Sequence, residues 1–309
     1  MTEPAGTQTR QPLTPQQIKL IRRAGMASVS VALTLVILKI FAWLATGSIA
    51  MLSSLADSAL DLLASSMTLV AVRFALEPAD REHRFGHGKL EAIAGLVQAF
   101  VILGSAGYVT FQAVVRLFAP TAIAQPNVGT SVMFASLVLT VALVLFQRFV
   151  VRETGSIAIG ADEVHYKADV LTNIAVLIAF ASSVWLGWHW ADPVLGLIVV
   201  AVILASVRSI ILHSLDVLLD RELPTTRRKE IIQIAQQNSE VLGVHDLRTR
   251  TSGTHEFIQF HVELKPDISL RRVHEITDAV EAAVTERFPR SEVIIHADPY
   301  GIDEPQDEF

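Results

Sequence analysis

Asp57 and Asp61 interrupt one long apolar run, from Ile49 to Phe74, and His165 and Asp169 stand at the head of another that continues to Trp185. Each pair is spaced i, i+4, so each turns two metal-type ligands toward one helical face. A charged side chain at a helix centre in a bilayer costs roughly 2.5–3.5 kcal/mol on insertion scales. Three carboxylates there need a compensating partner, and a divalent cation is what three oxygens and an imidazole satisfy best. If the two faces meet, they form a tetrahedron of three aspartates and one histidine. Four-coordinate N/O geometry suits Zn²⁺, whereas Mg²⁺ and Ca²⁺ prefer six or more oxygens. Fe²⁺, Co²⁺ and Cd²⁺ also accept this ligand set. A competing reading makes the four side chains interfacial charges neutralised by Lys39, Lys167 or Arg73; two matched pairs on different apolar spans weigh against it.

The same ligands suggest an energy source. Carboxylates and imidazole shed protons to bind a metal and take them up when it leaves, and His165 is the group whose ordinary range suits that exchange. A site that opens to either side and holds metal or protons predicts proton-driven antiport by alternating access. Two more clusters could hold metal. Asp80, His83 and His87 fall on one side if their loop continues helically; the alternative is a positively flanked loop with ordinary polar histidines. Gly86 and Gly88 bracket His87 and predict a tight turn. Further on, His245, His261, His274, His296 and Asp298 are expected to gather at strand ends and a helix, although a single histidine there is more often an ordinary polar residue.

These side chains need long apolar helices to carry them. The chain has 309 residues, 51% of them hydrophobic, and a mean hydropathy of +0.45, too apolar for a soluble globule. About 20 apolar residues cross a hydrocarbon core of about 30 Å, and six such segments are legible, within residues 24–219. Lys and Arg collect before the first span and around the second and fourth loops, which predicts cytoplasmic termini. The polar first twenty residues are not expected to be a cleaved signal. Cysteine is absent, which excludes thiolate sites and disulfides. The acidity lies at the far end: residues 220–309 hold 18 acidic and 11 basic side chains, a net of −7. Their pattern reads helix (Thr226–Gln237), strand (Val244–Thr251), strand (Glu256–Leu264), helix (Leu270–Phe288) and strand (Ser291–His296), with period-2 alternation around His261 and Gly253 placed for a hairpin turn. The expected fold is a membrane all-α six-span transmembrane bundle plus a small α+β (αββαβ) cytoplasmic domain. Its expected parts are a cytoplasmic tail (1–23), the bundle (24–219), the cytoplasmic domain (220–300) and a C-terminal tail (301–309).

The chain resembles the cation diffusion facilitators, close to the bacterial ferrous-iron and zinc efflux type, from about Ala24 to Pro299. The resemblance rests on DxxxD at Asp57–Asp61, HxxxD at His165–Asp169, the loop at Pro78–Lys89, HDLRTR at His245–Arg250 and IIHxDP at Ile294–Pro299. It implies a homodimer in the cell inner membrane that exports divalent metal in exchange for protons, Zn²⁺ foremost and also Cd²⁺ or Fe²⁺. It assigns the transported ion to Asp57, Asp61, His165 and Asp169, a loop site to Asp80, His83 and His87, and a regulatory binuclear zinc site between cytoplasmic domains to His245, His261, His274, His296 and Asp298. Ala297 departs from the pattern where close relatives often have a polar residue. No organic cofactor or nucleic-acid partner is expected. Two rivals fare worse: a channel would need a continuous polar stripe, which spans one, three, four and six lack, and a metallohydrolase would need an open coordination position and a general base.

Overall fold

Six long helices precede a small mixed domain in the computed structural model, which describes residues 13–46, 49–118, 127–186 and 191–301. The helices are α1 (Pro15–Thr46), α2 (Ile49–Ala75), α3 (Lys89–Phe118), α4 (Asn127–Thr154), α5 (Ile157–Leu186) and α6 (Ala191–Leu218). At 27 to 32 residues each is longer than the roughly 20 a bilayer core requires. Helix α1 begins ahead of the apolar run because Pro15, with its fixed φ and missing N–H, suits a first helical turn. Among the described residues, five of these helices hold an 18-residue window apolar enough to cross a membrane. Asp162, Glu163, His165, Lys167 and Asp169 crowd the first half of α5, and an apolar run follows them.

Residues Pro15–Leu215 form one compact unit and the chain from Asp216 onward another. In the first, α1 packs along α2 and α4, α4 along α5, and α3 against α2 and α5. Ala99, Ile102 and Ala106 of α3, Ala168 and Ala175 of α5 and Val199, Val200, Ile203 and Val207 of α6 make a buried cluster. Small residues let helix backbones approach closely where lipid offers no hydrophobic drive. The entry to α5 is tightly built. Gly155 takes φ +74 and donates to Val151 O at 2.8 Å, ending α4. The buried Glu91 carboxylate on α3 then accepts from the Ile157 backbone N–H at 2.9 Å, answering an unpaired donor and the positive end of α5.

The second unit holds α7 (Thr225–Ala235), β1 (Gly243–Ser252), β2 (His255–Leu264), α8 (Leu270–Arg287) and β3 (Ser291–Pro299). Its sheet order is β1-β2-β3, with β1 antiparallel and β3 parallel to the central β2. The first two strands meet at a turn in which Gly253 takes φ +62. Every second residue of β2, Ile258, Phe260, Val262 and Leu264, is buried in one core with Ile231 and Ala235 of α7 and Ile276, Val280 and Val284 of α8. The period-2 pattern thus marks a sheet with its helices on one face.

Candidate metal centres

The two ligand-bearing helices meet. His165 Nε2 lies 3.0 Å from Asp61 Oδ1 and 4.0 Å from Asp169 Oδ2. One ligand atom from each of Asp61, His165 and Asp169 falls within 4.8 Å of the others. The His165 side chain is 5% exposed, Asp61 19% and Asp169 38%, so the trio opens from a buried imidazole toward an accessible carboxylate. Asp57, one turn earlier on α2, is exposed and stands outside this group. Among the described residues, Lys39 of α1 makes no direct ion pair with a carboxylate: its Nζ donates to Ser58 Oγ at 2.6 Å and to Ser54 O at 3.1 Å.

Asp80, His83 and His87 also come together, with ligand atoms inside 4.8 Å. The route is a turn rather than the helical continuation the spacing allowed. Asp80 Oδ1 accepts from the Glu82 and His83 backbone N–H groups at 2.8 and 2.6 Å, an Asx-turn. Gly86, at φ +76, then donates to His83 O at 2.9 Å and folds the chain back. The result sets the two imidazole centroids 4.6 Å apart and His87 Nε2 3.4 Å from Asp80 Oδ2. The His83 backbone N–H, with smaller help from Glu82 N–H and the His83 ring, holds the Asp80 carboxyl below the usual range, so it stays ionised and ready to bind a cation. His87 Nδ1 is buried without a hydrogen-bond partner.

The third cluster follows from strand register. His245 on β1 pairs with His261 on β2, which pairs with His296 on β3. Opposed residues share a face, and Asp298, two residues past His296, shares it too. Its carboxylate sits among all three: 2.7 Å from His261 Nδ1, 3.1 Å from His296 Nε2 and 3.6 Å from His245 Nε2. This face is opposite the helices, which corrects the expected gathering of His274. That residue lies on α8, whose inward side covers the core face of the sheet, and within the chain it pairs instead with Asp278 at 3.3 Å. Ala297 packs against the core as well, so its small side chain removes nothing from the histidine face.

Some side chains beside these clusters escaped the sequence reading. Asp246, at φ 49 where the β1–β2 register shifts, brings Oδ2 to 3.7 Å from His261 Nε2, and Glu263 lies 3.9 Å from His245. Nothing in the sequence signals that bulge. Asp162, fully buried three residues before His165, was legible by the rule that flagged its neighbours: an acid inside an apolar helix.

Long apolar helices holding buried acids and a histidine, followed by a sheet with a second histidine cluster, define a membrane-embedded transporter of metal cations rather than an enzyme. The family model for the cation efflux transmembrane domain matches residues 25–219, and that for the cation efflux protein cytoplasmic domain matches 223–300. The chain is 45% identical to the cation-efflux pump FieF of Salmonella arizonae and of Salmonella typhimurium over 284 residues, covering 92% of this chain and 94% of each relative. Among solved structures, the metal-bound C-terminal domain of the CzcD transporter from Thermotoga maritima is 27% identical, with a TM-score of 0.25, covering 26% of this chain and 100% of that one. The chain belongs to the cation diffusion facilitator family, and divalent cation efflux is its activity.

Proposed function

We propose that this protein exports divalent transition metals across the inner membrane, Zn²⁺ foremost with Cd²⁺ and Fe²⁺ as further substrates, in exchange for protons. The observation that carries the reading is the approach of His165 to Asp61 across two helices, with Asp169 beside them. One imidazole and carboxylate oxygens suit a borderline cation and serve the hard, six-coordinate ions poorly. Asp57 completes the tetrad when a cation draws its carboxylate in; it shares a helical face with Asp61. Because every ligand must be deprotonated to bind, release of metal on the far side leaves vacant basic groups that carry protons back.

The cytoplasmic domain regulates. Two copies repel through their net charge of −7 each, and zinc on the histidine face removes that repulsion. The matching cytoplasmic-domain family model is a dimer domain, in line with a homodimer, in which His274 of one subunit serves the cluster of the other. His245, His261, His296 and Asp298 hold the regulatory zinc, and Asp80, His83 and His87 hold a loop ion near the cytoplasmic mouth. Both chain ends lie in the cytoplasm, by the distribution of Lys and Arg.

Stopped-flow zinc uptake into proteoliposomes with and without an imposed pH gradient tests the central step. Uptake that saturates and accelerates when the compartment receiving the metal is acidic supports antiport. Uptake indifferent to the gradient removes it.

A further inference from the structure

Just before His165 on α5, another acid is buried. Asp162 is 0% exposed. Its Oδ2 accepts from Gln147 Nε2 at 2.6 Å and its Oδ1 from Ser65 Oγ at 3.3 Å. Ser65 gives its one proton to that carboxylate, so the Tyr166 hydroxyl, 2.8 Å away, donates to Ser65 Oγ. Ser28 donates to Ala24 O at 3.0 Å and accepts from Gln147 Nε2 at 2.9 Å. These five side chains come from α1 (Ser28), α2 (Ser65), α4 (Gln147) and α5 (Asp162 and Tyr166), and none is more than 1% exposed. Among the described residues, no Lys, Arg or His nitrogen makes an ion pair with Asp162.

Spacing relates this knot to the metal centre. Ser65 follows Asp61 by one helical turn, and Asp162 and Tyr166 flank His165 by three residues and one. Helices α2 and α5 therefore touch through two successive polar rungs. The first is Asp61 to His165 at 3.0 Å; the second is Ser65 to Asp162 and Tyr166. Among the described residues, the ligand atoms that gather within 4.8 Å here are those of Asp61 and His165 in the first rung, with Asp169 beside them. A cation gripped from two helices requires ligand atoms at about 2.0–2.2 Å, and a site loosened by as little as about 0.5 Å loses much of its function. A buried hydrogen-bonded network rigidifies such a register, and Gln147 and Ser28 extend it to the two neighbouring helices, with Gln147 Oε1 left over.

We propose that Asp162 is the positioning residue of the intramembrane centre: through Ser65 it holds α2 against α5 in the register at which Asp61 and His165 grip one cation, and through Gln147 and Ser28 it braces that pair on α4 and α1. The inference rests on the reading of Asp61, His165 and Asp169 as the transport site. It concerns hydrogen bonds, not ligation. Gln147 Oε1 is buried without a partner, so its amide can rotate to accept from an amide placed at position 162. The conservative variant Asp162→Asn can thus be re-paired, and Asp162→Ala cannot.

The test is zinc uptake by the full-length protein in proteoliposomes, read as KM and maximal rate for wild type, Asp162→Ala, Asp162→Asn, Ser65→Ala and Asp61→Ala. Removing partners that orient metal ligands weakens affinity about 10–100-fold. Asp162→Ala raises KM for zinc in that range, Ser65→Ala raises it less, and Asp162→Asn restores most of the loss. If Asp162→Ala does not fold, Ser65→Ala carries the test, since it deletes one hydroxyl. A lower maximal rate with unchanged KM in these variants, the mark of fewer folded molecules, overturns the proposal. So does an Asp162→Asn protein as impaired as Asp162→Ala, which would place the effect in the charge. Wild-type transport by Asp61→Ala would instead overturn the site assignment beneath it, and the two failures are distinguishable.

Discussion

A carboxylate and an imidazole 3.0 Å apart on different helices are held there because each alone is costly inside a membrane. At the residue scale, two i, i+4 pairs in apolar runs were enough to single out Asp61, His165 and Asp169, whose ligand atoms lie within 4.8 Å of one another. Distance between pairs was not legible, and neither was Asp57's position outside the trio. The histidine face shows the same limit. Alternation placed His261 opposite the core residues of β2, but the bulge that lifts Asp246 to φ 49 depends on pairing with another strand and leaves no mark on local pattern. Exposed charges act on a smaller scale. Arg272 donates to Glu240 through two nitrogens, and that hydrogen bonding, with the Arg272 charge and Lys265, holds the Glu240 carboxyl below its ordinary range. A depressed acid contributes stability above its unfolded pKa, about 4.3 for Glu, and loses it as pH falls through the lower folded value. Glu240→Gln therefore reduces amide protection of α8 at pH 7 in hydrogen exchange on the full chain. The difference from wild type narrows below about pH 4 and in high salt. A difference that persists unchanged in acid would contradict the pairing.

At the scale of elements, the helices and strands were read well because their periods are strong. The five cytoplasmic elements fall within a few residues of the expected bounds, and their helix–strand order fixed which side of β2 is apolar. What failed was placing His274: a linear pattern says that α8 is amphipathic, but only the packed core shows that its inward side covers the sheet face opposite the histidines. The loop histidines met by a different road from the one expected, since an Asx-turn and a positive-φ glycine do the work that a helical continuation was to do. Phe260, 1% exposed at the centre of that core, is the element-scale probe. Replacing a buried Phe by Ala costs about 3–5 kcal/mol. In full-chain hydrogen exchange, Phe260→Ala should lower the opening free energy of β2 and α8 by that amount. An effect under about 1 kcal/mol would mean that β2 is not the spine of the domain.

For the whole molecule, a slightly positive membrane unit is followed by an acidic one that matches the family's cytoplasmic domain. Composition alone exposed that division, because the net charge of −7 sits entirely after residue 219. Zinc bound on the histidine face should draw the two acidic domains of a dimer together. Paired spin labels on the full-length protein, one on each cytoplasmic domain, should report a zinc-dependent shortening that His261→Ala abolishes. Shortening that survives His261→Ala would detach regulation from this cluster.

The central claim is that α2 and α5 grip one cation between them. Zinc stoichiometry on the full-length protein tests it most directly, with Asp80→Ala and His261→Ala in the background so that the loop and cytoplasmic clusters no longer bind. One tightly bound zinc per chain should remain, and it should vanish, together with vesicle transport, on adding either Asp61→Ala from α2 or His165→Ala from α5. Retention of that zinc when one of the two is replaced would contradict the account, because the ion would then be held from one helix alone.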